Sequence, residues 1–448
     1  MKKFLLAFLS VLLVAVMALT LVACGEKDAA PTAPKLEKKD PVSMYKAEGF
    51  EKSTLKNQVS WEGINQFKST KDIATLYQTD PDAAIAEARQ VAIDFFNYAK
   101  TATWIPADNW EFTHHDDGTG DDIMNGGQVY GGLPYVGLAS SAIYRIMDFI
   151  DEETGVVDIY SAGGKDHERQ KMFGNQCANG AYQGWSRFIN SAKYSGTPRM
   201  TLTNNFIPVG DYKYPTATTT SWTEGYNTKA VCSENGEQVI FASYAKMIKA
   251  DGFVNFTTAG HVMMLVETPV VVADGDKIDG NASYCIITDQ HVKFETYQHP
   301  DGGDNCQAAN YINRKMTFKQ LFDSGYLPFT YMEWLKTDPI EMPEVKYSHS
   351  GDSITLNKLF NTKVTCNYHI YDIYAEIYDA AGNQVIKTMT HNAGASEYTL
   401  KFLKTGIGCY TWGDLESLKA GGEYTVKVYA QLGTGERPDL WEGKLIVE

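Results

Sequence analysis

Three residues far apart in the sequence, Cys177, His261 and Asp289, could together carry out nucleophilic chemistry. A cysteine attacks through its thiolate, so it needs a base to take or share its proton and a group that orients the base. Cys177 stands in Gly174-Asn175-Gln176-Cys177-Ala178-Asn179-Gly180-Ala181-Tyr182-Gln183-Gly184-Trp185, where a loop turns into a helix. Ala178, Ala181, Tyr182, Trp185, Phe188 and Ile189 then recur at steps of three and four, the spacing of one buried helical face. Unpaired N–H groups and the helix dipole at such a start stabilise a thiolate. A small buried hydrophobe would suit the same place, and free cysteine often is one.

The base would be His261, which opens the β-rich run His261-Val262-Met263-Met264-Leu265-Val266. A surface histidine at a strand edge would read the same way. A turn at Asp274-Gly275-Asp276 sends the chain back as a second strand, Ser283 to Asp289. The window facing His261 across that hairpin is Thr288-Asp289-Gln290-His291. Asp289 is the favoured orienter, because a carboxylate fixes the imidazole tautomer and stabilises the imidazolium. A shift of one residue in register would exchange it for Gln290, and His291 is the third candidate.

The elements that must hold these residues can be read in part. Asp80-Pro81 caps a helix running to about Lys100, with Ile85, Ala88, Ala92, Phe95 and Ala99 as its apolar stripe. Gln128-Val129-Tyr130-Gly131-Gly132-Leu133-Pro134-Tyr135 is a tight turn holding two tyrosines on a fixed backbone. A helix is expected from Ser140 to Ile150, and residues 200–235 read as a polar surface insertion. His114-His115-Asp116-Asp117 invites a metal, but adjacent histidines on a strand point to opposite faces, and a solvated acidic loop is expected instead. No metal or other cofactor is implied. After a Pro-bracketed linker at Asp338-Pro339, short strands at Tyr368–Tyr378, Val385–Met389, Tyr398–Phe402 and Tyr424–Tyr429 suggest a β-sandwich over 339–448.

The chain opens with Met1-Lys2-Lys3 and an apolar run from Phe4 to Ala23, the pattern of a secretory signal. Residues 25–45 have almost nothing to bury and read as a disordered tether. Loss of Lys2 and Lys3 with the signal would take the formal charge from −15 to −17, which argues against nucleic acid as a partner. Of the seven cysteines, setting aside Cys24 and Cys177 leaves five, an odd number that excludes a dense disulfide framework. One bridge, Cys366 to Cys409, is compatible with the spacing.

Three resemblances follow. Leu21-Val22-Ala23-Cys24-Gly25 resembles the lipobox of bacterial lipoproteins, which implies a lipidated Cys24, a membrane anchor and an extracytoplasmic address. The stretch from Tyr130 to His291 resembles the NlpC/P60 cysteine peptidases within the papain-like group. The likeness rests on the Tyr130–Tyr135 turn, Cys177 opening a helix, Ala250-Asp251-Gly252-Phe253-Val254 before a strand, and His261 in Gly260-His261-Val262. The family's usual Asp-Cys-Ser-Gly is here Gln176-Cys177-Ala178-Asn179. The resemblance implies an α+β papain-like domain over 46–338 and hydrolysis of peptide or amide bonds, in peptidoglycan stem peptides or related substrates. The C-terminal part resembles bacterial Ig-like domains. Cys177 would be the nucleophile, His261 its base and Asp289 the orienter, with backbone N–H groups of Cys177 and a neighbour such as Gln176 as oxyanion hole. Tyr130, Tyr135 and Trp185 would line the peptide cleft. The rival expectations are a non-catalytic surface binding or adhesion lipoprotein and a transglutaminase-like acyl transferase.

Overall fold

The computed structural model describes residues 46–113, 121–136, 142–161, 173–190, 206–214, 227–257, 260–290, 310–335, 340–399 and 409–448. The expected signal, lipobox with Cys24 and tether, together with His114-His115, His291 and the Asp338-Pro339 linker, lie outside these ranges. Residues Pro41–Glu448 form one compact unit of mixed α and β structure. Among the described residues, no helix is long and apolar enough to cross a membrane.

Helix α1 spans Pro81–Thr101. Asp80 caps it by accepting the Ala83 N–H at 3.0 Å, and Pro81 occupies the first turn, where it has no N–H to leave unpaired. Its buried stripe includes Ala84, Ala88, Val91, Ala92, Phe95, Phe96 and Ala99. Helix α2, Cys177–Trp185, lies against α1 and is buried along its whole length. Two glycines permit that fit. A Cβ at Gly184 would stand 2.2 Å from the Ala92 carbonyl oxygen of α1, and one at Gly180 would stand 2.5 Å from Gln290 Oε1. Alanine, the better helix former, is therefore sterically excluded at Gly184, and at Gly180 it would require the Gln290 side chain to shift.

The other side of α2 meets an antiparallel six-stranded sheet. Its strands are β1 (Phe206–Pro208), β2 (Gly252–Phe256), β3 (Gly260–Leu265), β4 (Tyr284–Gln290), β5 (Asn310–Thr317) and β6 (Leu327–Tyr331), in the order β5-β4-β3-β2-β6-β1. The expected surface insertion is partly built into this layer. Phe206–Pro208 forms the edge strand, and the helix Thr228–Asn235 buries Val231 and Cys232. Its Thr and Asn residues read as polar loop, but Asn227 is a helix cap and the apolar pair behind it is core.

A second, smaller sheet orders Tyr130–Gly131, Thr103–Pro106, Val156–Val157 and Ile150–Asp151. Gly132 (φ +68) lets the Gly131-Gly132 turn pass directly over the end of α1, where a Cβ would meet the Lys100 backbone at 2.5 Å. The helix expected from Ser140 to Ile150 is a 3₁₀ segment over Ile143–Asp148.

Among the described residues the C-terminal strands pair into one sheet, both faces of which are buried. They are β7 (Val345–Tyr347), β8 (Ser353–Thr355), β9 (Lys363–Asp379), β10 (Gln384–Thr399), β11 (Cys409–Trp412), β12 (Tyr424–Leu432) and β13 (Asp439–Ile446). Their order is β8-β13-β12-β9-β10-β11, with β7 paired to the start of β9. The physical reason lies in the alternation along β9. Ile373, Ala375 and Ile377 face a core of their own with Val426, Val428 and Leu445, while Tyr371 and Tyr374 enter a core shared with Trp104, Tyr144 and Phe149. The second face is thus covered by the N-terminal half of the chain. Buried ion pairs cross that contact: Arg145–Asp372 at 2.5 Å and Lys387–Asp148 at 3.1 Å. Cys366 and Cys409 are both free, so the bridge compatible with their spacing does not form.

Candidate active site

Strand register decides which of the expected orienters reaches His261. Asp289 on β4 stands opposite Met263 on β3, and side chains directly opposite share a face. His261 lies two residues before Met263 and therefore shares that face as well. The result is a hydrogen bond of 2.6 Å between His261 Nε2 and Asp289 Oδ2. Gln290 points the other way. Its Nε2 donates to the carbonyls of Leu133 at 3.0 Å and Pro134 at 3.3 Å, tying the turn after Tyr130 to the sheet.

Cys177 is the first residue of α2, and Gln176 before it is extended, with no side-chain cap on the helix. The first-turn N–H groups are thus left for other partners. The thiol is 2% exposed, and its Sγ lies 3.8 Å from the Gly260 carbonyl oxygen at the start of β3. His261 hydrogen-bonds it as well as Asp289. With Nε2 committed to the carboxylate, Nδ1 is the nitrogen left for sulfur.

The electrostatics follow from this chain of contacts. Burial alone would raise the Cys177 thiol, but the bond and charge of His261, with backbone N–H groups of Val262 and Ala178, bring it below its ordinary value. Burial alone would lower His261, yet its bonds to Asp289 and Cys177 raise it to about 10. For Asp289, burial is outweighed by His261, Arg314 and Lys100, which keep the carboxylate ionised. The arrangement therefore favours a thiolate–imidazolium pair near neutral pH, the reactive form of a cysteine nucleophile.

Two contributors were not legible in the sequence. Arg314 on β5 donates from Nη2 to the same Asp289 Oδ2 at 2.9 Å. The fully buried Lys100, at the end of α1, bonds the Thr288 hydroxyl, and Thr288 in turn donates to Asn97 Oδ1 at 2.7 Å. Burial lowers Lys100 to about 7, against the pull of Asp289. Neither residue belongs to a local motif. Arg314 enters by strand pairing across the long 291–309 segment, and Lys100 by the packing of α1 on β4.

The expected cleft residues are divided. Tyr135 and Gln176 are half-buried and lie close to Cys177 in the chain fold: Tyr135 forms a bridge with Asn175, whose N–H donates to the Pro134 carbonyl at 2.9 Å. Trp185 and Tyr130 do not line an open cleft. Trp185 is at the far end of α2, fully buried against Phe329 and Tyr331, with its indole N–H donated to the Ala250 carbonyl at 2.8 Å. Tyr130 is buried beside Trp104, and its hydroxyl accepts the Asn125 N–H at 2.8 Å. Asp251, in the segment likened to the family's Gly-Asp turn, forms a buried ion pair with Arg89 at 2.8 Å. Among the described residues, no group of three or more His, Cys, Asp or Glu gathers at metal-binding distance. The chain matches no protein-family model, and a search of curated proteins finds no match.

Proposed function

We propose that this protein is a cysteine hydrolase of peptide or amide bonds with a papain-like arrangement of helix and sheet. Cys177 is the nucleophile, His261 the acid–base and Asp289 the group that orients and charges His261. The observation that carries this reading is the chain of contacts Cys177–His261–Asp289, with the thiol lowered and the imidazole raised despite burial. In the proposed cycle the thiolate attacks a carbonyl carbon, and the imidazolium protonates the leaving amine. The acyl-thioester then yields to water deprotonated by the neutral imidazole. The Cys177 N–H, at the uncapped start of α2, is the first candidate for the oxyanion. The proposed substrate is peptidoglycan stem peptides and the proposed address is the outer side of a membrane, anchored by lipid; the lipobox-like Cys24 and the NlpC/P60 likeness support both.

The test is alkylation by a thiol-directed electrophile, read residue by residue by mass spectrometry on the native protein. Cys232 and Cys285 are built-in comparisons, because burial pushes both thiols up, Cys232 to about 12. Cys177 is expected to react at least tenfold faster than either at pH 7; equal, slow labelling would remove the catalytic reading. One observation favours the rival, a non-catalytic binding lipoprotein that keeps the scaffold: the thiol is 2% exposed. Equal, slow labelling, or fast labelling without turnover of muropeptides with or without an amine acceptor, is the result that reading requires. Product formation only with the amine would assign acyl transfer instead.

A further inference from the structure

A cavity of about 780 Å³ opens at the end of α1 and α2 remote from the thiol. The separation follows from the elements. Cys177 begins α2 and Trp185 ends it, about 12 Å along the axis, and Trp185 bonds the Ala250 carbonyl beside the cavity. The volume lies in the range of small-molecule sites. Its walls come from one stripe of α1 (Ile85, Ala86, Arg89), from Ile248, and from Trp334 and Leu335 of the short helix α3 (Met332–Leu335). Ile248 and Leu335 are 48% and 54% exposed, so apolar surface surrounds the mouth.

The polar character of this cavity is specific. Arg89 is almost fully buried, and its Nη1 donates to Asp251 Oδ1 at 2.8 Å and to the Lys249 carbonyl at 2.6 Å. Its Nε and Nη2 have no partner, and neither has the indole nitrogen of Trp334, whose ring lies 4.9 Å from the guanidinium. Nε and Nη2 form one edge of the guanidinium, where two parallel N–H groups match the two oxygens of a carboxylate. Unpaired buried donors are costly, so an acceptor that reaches them gains more than a surface hydrogen bond would. At the mouth, Lys249 and Asp82 carry opposite charges, leaving the guanidinium edge as the selective group.

We propose that this cavity is a second ligand site, separate from the cysteine, for an apolar molecule bearing a carboxylate. The apolar body lies against Ile85, Ile248 and Leu335. The head group reaches the Arg89 edge by turning the Trp334 ring. Two sources carry this chemistry, an aliphatic acid and the C-terminal carboxylate of an apolar peptide residue, and the probes separate them.

The experiment is calorimetric titration of the full chain with decanoate and with N-acetylphenylalanine. Each is compared with its neutral counterpart, decanol or N-acetylphenylalaninamide. Saturable binding of at least one acid is expected, at least tenfold tighter than its neutral counterpart, and the tighter acid assigns the source. Ala86→Phe, which fills the mouth from an exposed helix position, should weaken binding at least tenfold while leaving Cys177 alkylation unchanged. Arg89→Lys keeps a cation beside Asp251 but removes the two-pronged edge, and should cut the preference for the acid below about threefold. No saturable binding, equal binding of acid and neutral forms, or full binding by Ala86→Phe would each overturn the proposal. The decision does not depend on Arg89→Lys folding, because the ligand comparison uses the unaltered protein.

Discussion

Replacing Asp289 by Asn tests the electrostatic heart of the site. The perturbation removes the negative charge that favours the His261 imidazolium while keeping a side chain of nearly the same shape. Two opposite unit charges about 4 Å apart attract by about 4 kcal/mol at an effective dielectric of about 20. The Asn Oδ1 still accepts a hydrogen bond from the protonated ring, which keeps roughly half of that attraction. A net loss of about 2 kcal/mol corresponds to about 1.5 pH units. The sign follows from which form is lost. The imidazolium is destabilised, so the ring gives up its proton at lower pH. The His261 titration, raised to about 10 in the native site, should therefore fall by about 1.5 units. At a fixed pH above it, the protonated fraction should fall about thirtyfold. The ring titration followed by NMR from about pH 5 to 11, with a thermal melt to show that the variant is folded, decides the matter. A titration that stays in place, or moves to higher pH, would refute the assignment of Asp289 as the group that charges His261.

Four further outcomes are expected. Arg314→Met removes the cation that competes for the same carboxylate oxygen, so the His261 titration should move up by up to about one unit, opposite in sign to Asp289→Asn. Gln290→Leu leaves the Leu133 and Pro134 carbonyls without their donor, and should lower stability in urea titration by about 2 kcal/mol without displacing the alkylation profile. Gly184→Ala forces a methyl group into the Ala92 carbonyl and should cost about 2–3 kcal/mol in the same assay. Lys100 titrates near 7 in the folded chain, below its ordinary value, so the unfolded chain holds more protons between about pH 7 and 10 and stability rises with pH across that window. Lys100→Met should therefore stabilise the protein more at pH 6 than at pH 10, by on the order of 3 kcal/mol in paired melts.

How far the site could be read from the sequence depended on which constraints were local. The start of α2 carried its own periodicity and the hairpin carried its own turn, so Cys177, His261 and a polar window opposite could be named from short stretches. The choice within that window could not, because a one-residue register shift exchanges Asp289 and Gln290. It is fixed by pairing with Met263 and by the two carbonyls that hold Gln290 on the opposite face. Trp185 and Tyr130 failed as cleft residues for a related reason. A large aromatic beside a nucleophile in sequence reads the same whether it faces substrate or core, and each had its polar atom satisfied inside the protein.

The C-terminal strands illustrate a different limit. Their spacing and turns were legible. The sequence pattern of β9 is nevertheless apolar or aromatic on both faces, and what covers the second face depends on the rest of the chain. Here the cover includes the helix that Cys177 opens: Tyr182 on α2 bonds His369 Nδ1 on β9 at 3.2 Å, and Ser186 just after α2 lies 3.4 Å from the Tyr371 hydroxyl. Burial holds His369 neutral, at about 3, so this contact carries no charge that would compete with the thiolate at the other end of the helix. The C-terminal sheet is thus part of what fixes α2 between α1 and the six-stranded sheet, and the geometry around Cys177 belongs to the whole unit rather than to the stretch between Tyr130 and His291.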